Sequence, residues 1–163
     1  MEQRMSHTLL HTEVKAEWVD FNGHLNDAEY VRVFSRGADG LMDLIGLDAA
    51  GRAAHQCTLY TLEMHTCYLA EVLLGEPLRV DLDILDQDIK RIHVFFSMYK
   101  GDGALIATSE QLFMAVSTAS KRSTNLPDAV CRELEALGQL SAEAWPVQAG
   151  RRVGIRRRAK PRP

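Results

Sequence analysis

Two hydrophobic periodicities stand next to each other in the first part of the chain. Between Thr8 and Val19, apolar and polar side chains alternate, and this period of two predicts a half-buried strand. Between Asp27 and Ile45, apolar residues recur every three or four positions and predict one long amphipathic helix that ends at Gly46. Gly37 and Gly40 lie inside this helix, which indicates a close approach of the helix to a sheet.

The middle of the chain carries mainly strand patterns. Strands are predicted over residues 58–69, 78–84, 92–99 and 104–116, with a hairpin turn at residues 100–103 between the last two. Residues 48–54 are predicted to form a loop. A short helix is expected to open at Pro127 and to end at Gly138.

This order of elements predicts an α+β fold in which an antiparallel, curved sheet of roughly five strands wraps round one long helix. One helix cannot cover both faces of such a sheet, so a second subunit is expected to cover the other face or an edge. The 163 residues are enough for one domain with a full core. We place this domain at residues 1–138 and a C-terminal extension with a flexible basic tail at residues 139–163.

Composition and charge restrict the location and the partners. The apolar runs are far shorter than the ~20 residues that span a bilayer, and the first residues do not resemble a signal peptide. Three cysteines without CxxC spacing favour a reducing, cytoplasmic location. Residues 151–163 hold seven of the nineteen basic residues and none of the twenty-two acids. This run either docks on an anionic partner or is a solvated terminus, whereas the acidic remainder argues against nucleic-acid binding as the main function.

Candidate chemistry is concentrated just before the long helix, at Asp20, Gly23, His24 and Asn26. Asn26, followed three positions later by Glu29, is typical of a capping box. The positive N-terminal end of a helix can stabilise a developing oxyanion, and a neighbouring carboxylate can attack a carbonyl or take a proton from water. Alternatively, these side chains serve only as turn and cap hydrogen-bonding groups. The spacing of the histidines predicts no metal site.

Residues 19–26, Val-Asp-Phe-Asn-Gly-His-Leu-Asn, followed by Tyr30 and a long helix, resemble the hotdog-fold acyl-CoA thioesterases of the 4-hydroxybenzoyl-CoA thioesterase superfamily. The resemblance covers residues 8–118. The spacing of Asp20 and His24 is that of the thioesterases and differs from that of the hydratases with the same fold. The resemblance implies an acyl-CoA substrate, no cofactor, no membrane partner, and a homodimer or homotetramer whose pocket lies between subunits.

A narrower resemblance joins residues 18–27, 60–65 and 90–93 to the thioesterases of carnitine degradation. These enzymes hydrolyse betainyl-CoA to glycine betaine and CoA. The resemblance leaves open another short, aromatic or 3-hydroxy acyl-CoA as the substrate. It also leaves open a non-catalytic hotdog protein that binds acyl-CoA, although the presence of Asp20 argues against this alternative.

The family resemblance also implies roles for individual residues. Asp20 acts as the nucleophile or as the general base, and a backbone N–H at or near Gly23 or His24 polarises the thioester carbonyl. His24 and Asn26 shape the turn, with direct catalysis by His24 as the alternative. A trimethylammonium group requires aromatic faces or a carboxylate. The candidates for these contacts are Trp18, Tyr30, Phe34, Tyr60 and Tyr68, with Glu63 as the acid. Alternatively, the aromatic residues serve in core packing, of which aromatic side chains at helical spacing are typical.

Two further pairs have two interpretations each. Glu63 and His65 lie on one face of a predicted strand and would line the substrate pocket only if that face is the inner one. Lys90 and Arg91 follow an acidic turn, where they either bind CoA phosphates or are solvated turn charges.

Overall fold

The computed structural model describes residues 6–157, which contain one antiparallel sheet and three α-helices. The five strands are β1 (His7–Glu13), β2 (Cys57–Tyr68), β3 (Pro77–Gln87), β4 (Arg91–Lys100) and β5 (Leu105–Ser117), in the spatial order β1-β3-β4-β5-β2. The helices are α1 (Asp27–Leu44), α2 (Ala49–His55) and α3 (Asp128–Leu137). The predicted α+β architecture with one long helix against a five-stranded sheet is confirmed. No helix in the described range is long and apolar enough to span a bilayer.

Helix α1 packs closely on one face of the sheet, which we call the inner face. Phe34 of α1 stacks on Phe96 of β4 with 6.3 Å between the ring centroids. A Cβ atom at Gly37 would lie 3.1 Å from the Val80 side chain, and one at Gly40 would lie 2.9 Å from the Leu9 carbonyl oxygen. The two glycines therefore let α1 approach β3 and β1, as the sequence predicted.

The opposite, outer face of the sheet is crossed by residues 139–157, which we call the C-terminal strap. The Leu140 N–H donates to the Ile84 carbonyl of β3 at 2.9 Å. The Trp145 ring meets His93 of β4 edge-on at 5.4 Å. The Gly150 N–H donates to Glu110 of β5 at 2.7 Å. The strap therefore covers part of the face that a second subunit was expected to cover. Residues 158–163 of the predicted tail lie outside the described residues.

Strand β2 forms an exposed edge of the sheet. It is twelve residues long and pairs on one side only, with β5. Its side chains Tyr60, Leu62, Met64 and Tyr68 are each at least 40% exposed. A long apolar edge strand is a ready template for pairing with another strand. The edge therefore remains the part of the sheet that a second subunit could cover.

Three local predictions differ from the structure. The first strand ends at Glu13, because the Val14 N–H bonds to the Glu76 carbonyl and the chain then turns through a 3₁₀ helix, Ala16–Trp18. Residues 48–54 fall largely in helix α2 and not in a loop, because the Asp48 side chain caps that helix at the Gly51 N–H. Finally, Asn26 caps α1 through the Ala28 N–H, but its own N–H donates to the Trp18 carbonyl, so no reciprocal capping box forms.

Candidate active site

The loop before α1 is folded around Asp20. The Asp20 N–H donates to the His24 carbonyl at 2.8 Å, and the Gly23 N–H donates to the Asp20 carbonyl at 3.0 Å. The carboxylate oxygen Oδ1 of Asp20 accepts the N–H of Asn22 at 2.8 Å and that of His24 at 3.3 Å. Gly23 has a φ of +77°, a conformation that favours glycine. These bonds fix the position of the Asp20 carboxylate.

Contacts with the segment after β2 hold this loop in place. The Leu25 N–H donates to the Val72 carbonyl at 2.8 Å. His24 forms an isolated antiparallel bridge with Leu73, and its Nε2 lies 3.5 Å from Oε2 of Glu71. The loop before α1 and residues 69–71 therefore form two walls of one cleft.

The cleft has a volume of about 500 Å³. One wall carries the loop and the start of α1, and the other carries the end of β2 and the residues that follow it. Asp20 shares this cleft with Asn26 and Asp27 at the helix N-terminus. Six side chains of the cleft bear on its chemistry: Asp20, His24, Asp27, Tyr30, Tyr68 and Glu71.

Backbone donors at the helix N-terminus are not equivalent. The N–H groups of Gly23 and His24, which the sequence suggested as carbonyl-polarising donors, both bond to Asp20 within the loop. The Ala28 N–H is taken by the Asn26 side chain. Within residues 6–157, no acceptor pairs with the N–H of Asp27, the first residue of α1. This N–H lies at the positive end of the helix, and Asp27 lines the cleft that holds Asp20.

The cleft is electronegative and partly aromatic. It contains the carboxylates of Asp20, Asp27 and Glu71, and no lysine or arginine of the described chain lines it. Burial, and after it the charge of Glu71, raises the pKa of Tyr30, while burial and Asp27 raise the pKa of Tyr68. The two rings meet edge to face at 5.2 Å. Carboxylates beside aromatic rings suit a cationic group.

The structure brings only some of the predicted aromatic residues into this cleft. Tyr30 and Tyr68 line it, with the Tyr30 hydroxyl donating to the Ala70 carbonyl and the Tyr68 hydroxyl to the Asp27 carbonyl. Trp18 is buried outside the cleft, beneath the cationic groups of Lys15 and Arg36. The other two predicted aromatic residues also lie outside the cleft. Phe34 packs in the core against Phe96, and Tyr60 lies near the opposite end of β2.

Glu63 and His65 lie on the outer face. Directly paired residues of antiparallel strands share a face, and His65 pairs with Glu110, on which the strap rests. Both predicted residues line a separate cavity of about 430 Å³ together with His93 and Glu110. The strand period predicted that Glu63 and His65 share a face but could not decide which face it is.

Lys90 and Arg91 lie at the far end of the sheet from Asp20 within one protomer. Arg91 is level with Met114 of β5, whereas Tyr68 in the cleft is level with Ala107. The seven-residue difference corresponds to about 23 Å along the strand. Asp88 accepts from the Arg91 guanidinium at 2.7 Å, and this hydrogen bond lowers the pKa of Asp88 to about 2.

Glu71 and Asp27 are site residues that the sequence analysis missed. Glu71 lies in a loop without a regular period, and only the bridge between His24 and Leu73 brings it to the cleft. Asp27 was assigned to the helix start alone. Its position as the first helical residue was nevertheless a usable signal, because the first N–H groups of a helix have no partner within the helix.

Comparison with known proteins agrees with this geometry. The model of the thioesterase-like superfamily matches residues 14–134. The chain is 41% identical to a betainyl-CoA thioesterase of Pseudomonas aeruginosa, over 91% of this chain and 94% of that protein. It is also 37% identical to an L-carnitine dehydrogenase/betainyl-CoA thioesterase of Rhizobium meliloti, of which it spans 30%.

Solved structures show the same relationship. A Staphylococcus aureus protein characterised in complex with CoA superimposes with a TM-score of 0.84 at 31% identity, covering 96% of this chain and all of that one. A putative thioesterase of Pseudomonas putida gives a TM-score of 0.78 at 35% identity, covering 94% and 99%. The predicted hotdog fold and thioester hydrolase class are confirmed. This chain belongs to the thioesterase-like superfamily.

Proposed function

We propose that this protein hydrolyses betainyl-CoA to glycine betaine and CoA, as a cytoplasmic step of carnitine degradation. The observation that supports this substrate is the cleft at the N-terminus of α1, where Tyr30 and Tyr68 lie beside the carboxylates of Asp27 and Glu71. A trimethylammonium group is attracted to aromatic faces and to carboxylates. The relatives named above for the same reaction support the same choice.

In the proposed reaction Asp20 acts on the thioester carbonyl. Its Oδ1 is held by two backbone N–H groups, while its Oδ2 has no hydrogen-bond partner in the described chain. This oxygen either takes a proton from an attacking water or attacks the carbonyl to give an anhydride, which water then hydrolyses. In both routes the C–S bond breaks and CoA leaves as the thiolate, which takes a proton from Asp20 in the first route and from solvent in the second. The Asp27 N–H stabilises the developing oxyanion, and His24 and Asn26 position the loop.

We further propose a homodimer that forms by two-fold pairing of the exposed β2 edges. Antiparallel pairing of β2 with its copy would bring the end of one protomer that carries the cleft next to the partner's opposite end. Lys90 and Arg91 lie at that opposite end, so the partner's pair could then approach the same substrate. Light scattering should give twice the chain mass for the wild type, and Leu62→Lys on the exposed edge should give monomers.

The decisive experiment compares betainyl-CoA with 3,3-dimethylbutyryl-CoA, in which a neutral carbon replaces the quaternary nitrogen. We expect kcat/KM to be at least about tenfold higher for betainyl-CoA, because only the cation gains from the carboxylates and the tyrosine faces. Faster hydrolysis of 4-hydroxybenzoyl-CoA or 3-hydroxybutyryl-CoA would keep the enzyme class and overturn the substrate. Acyl-CoA binding without any turnover would identify a binding protein instead.

A further inference from the structure

The C-terminal strap follows a defined path that ends beside the candidate active site. It contacts β3 through Leu140, β4 through Trp145 and β5 through Gly150, in the spatial order of these strands. It then reaches the last strand of this series, β2. Residues 151–154 line a cavity of about 290 Å³ there, together with residues 65–69 of β2 and its end.

This last part of the strap, residues 151–157, is a cationic segment that we call the arginine arm. It carries Arg151, Arg152, Arg156 and Arg157, all exposed, and no acidic residue. No carboxylate in residues 6–157 lies within ion-pair distance of these four guanidinium groups. The Gly150 N–H on Glu110 fixes the start of the arm on the sheet. The arm therefore presents uncompensated positive charge at a defined place.

The arm and the cleft are neighbours. Tyr68 and Leu69 line both the cavity of the arm and the cleft that contains Asp20. The two cavities differ in the sign of their charge, since one is lined by Arg151 and Arg152 and the other by Asp27 and Glu71. A ligand that extends from one to the other would need a cationic end and an anionic end.

Betainyl-CoA is such a ligand. Its trimethylammonium group is at one end, and the diphosphate and 3′-phosphate of the nucleotide are at the other. Arginine suits phosphate oxygens because its planar fork donates two parallel hydrogen bonds. Opposite charges at the two ends would also orient the molecule as it approaches.

Resting on the proposed function, we infer that Arg151 and Arg152 of the arm bind the phosphates of the CoA nucleotide. The basic C-terminal segment is thereby part of the substrate site, and Arg156 and Arg157 add to its attraction for the same phosphates. The arm acts on binding and not on the bond-breaking step, because it has no contact with the cleft residues that act on the carbonyl.

The test uses free CoA, so that it does not depend on turnover. Calorimetry would give the Kd of CoA, dephospho-CoA and pantetheine for the wild type, for Arg151→Ser/Arg152→Ser, and for the matched control Arg122→Ser/Arg132→Ser. All four positions are exposed, so the variants should keep the fold, which circular dichroism checks. We expect the arm variant to raise the Kd of CoA roughly tenfold and to leave the Kd of pantetheine unchanged. The control variant should match the wild type in every measurement.

Equal CoA affinity in the wild type and the arm variant would overturn the inference, as would the absence of CoA binding to the wild type. The inference would also be overturned if the arm variant bound CoA like the wild type and lost binding only to anionic vesicles or to RNA. The proposed function is tested separately by turnover. If the wild type hydrolyses no betainyl-CoA but the arm variant loses CoA affinity, the role of the arm in CoA binding is supported and the proposed reaction is rejected.

Discussion

Two carboxylate–histidine pairs of this protein, Glu110 with the His93 ring and Asp20 with the His24 backbone N–H, have different surroundings. Oε1 of Glu110 lies 2.8 Å from Nε2 of His93, and its Oε2 accepts the Gly150 N–H, so both oxygens are occupied. Asp20, which lines the cleft, uses only Oδ1, for the N–H groups of Asn22 and His24, and within residues 6–157 its Oδ2 has no hydrogen-bond partner.

This difference supports the roles proposed for the two carboxylates, a reactive one for Asp20 and a structural one for Glu110. Glu110 joins the strap to the sheet, and a substrate could reach its oxygens only by breaking those bonds. Asp20 is fixed by one oxygen, which leaves the other for the proposed reaction, beside a helix N-terminus where the Asp27 N–H has no partner among residues 6–157. In this proposal the arrangement of hydrogen-bond partners, and not the residue type, separates the two roles.

The largest effect is expected for Asp20→Asn. The amide oxygen can still accept the two backbone N–H groups, so the loop should keep its shape, but the amide can neither attack a carbonyl nor take a proton. We expect kcat on betainyl-CoA to fall by roughly 10²–10⁴-fold. The release of the CoA thiol, measured with a disulfide reagent, checks this value. Unfolding curves of the wild type and the variant check that both are folded.

Glu110→Gln is the control for that experiment. It removes a carboxylate from the other pair, and kcat should remain within about threefold of the wild type because Glu110 does not line the cleft that holds Asp20 and the amide oxygen can still accept the Gly150 N–H. A loss of kcat in Glu110→Gln as large as that in Asp20→Asn would show that the comparison of the two pairs is wrong.

A smaller effect is expected for Glu71→Gln. Loss of this charge should lower kcat/KM for betainyl-CoA by about five- to tenfold, because a partly solvated ion pair contributes only modestly. Turnover of 3,3-dimethylbutyryl-CoA should not change. The matched control is Glu63→Gln, the acid that the sequence pattern suggested, which lies on the outer face. Equal losses in the two variants would show that the cleft charge does not select the acyl group.

On the structural side of the comparison, Glu110→Ala should destabilise the protein. The substitution removes a carboxylate that His93 and the Gly150 N–H both contact, and we expect the free energy of unfolding to fall by about 2 kcal/mol. Urea unfolding measures this value, and limited proteolysis should detect earlier cleavage within residues 145–157. Unchanged stability and unchanged proteolysis would mean that Glu110 does not hold the strap.

Periodicity predicted β3, β4 and α1 well, because the apolar residues that recur at every second position of the two strands are all buried, as are Tyr30, Phe34 and Leu41 on one face of α1. It failed where a tertiary contact decides the conformation. The Val14 N–H bonds to the Glu76 carbonyl and ends β1, although the alternation continues in sequence. Helix α2 has little apolar pattern and depends on its Asp48 cap.

From the residues alone, the candidate site could be predicted where its members are close in sequence, whereas the distant Tyr68 was named only as one of five aromatic candidates for a cation. Asp20, His24 and Asn26 belong to one loop and were found together. Glu71 comes from a distant loop without a pattern, and the outer position of Glu63 follows from pairing with β5 that no local period reveals. The C-terminal strap was likewise predicted only in part. The composition of the tail indicated its positive charge, but no sequence pattern indicated its path across the sheet.

The smallest effect concerns the ionisation of Tyr30 in the cleft. Burial, and then the charge of Glu71, raises its pKa above the ordinary 10.0. The folded protein therefore keeps a proton that the unfolded chain loses, so this contribution to stability is complete below pH 10 and is lost as the pH rises through the folded pKa. Absorbance at 295 nm, taken as wild type minus Tyr30→Phe, should titrate with a midpoint above 10. Glu71→Gln should move that midpoint towards 10 and Glu63→Gln should not, whereas an unchanged midpoint in both variants would assign the effect to burial alone.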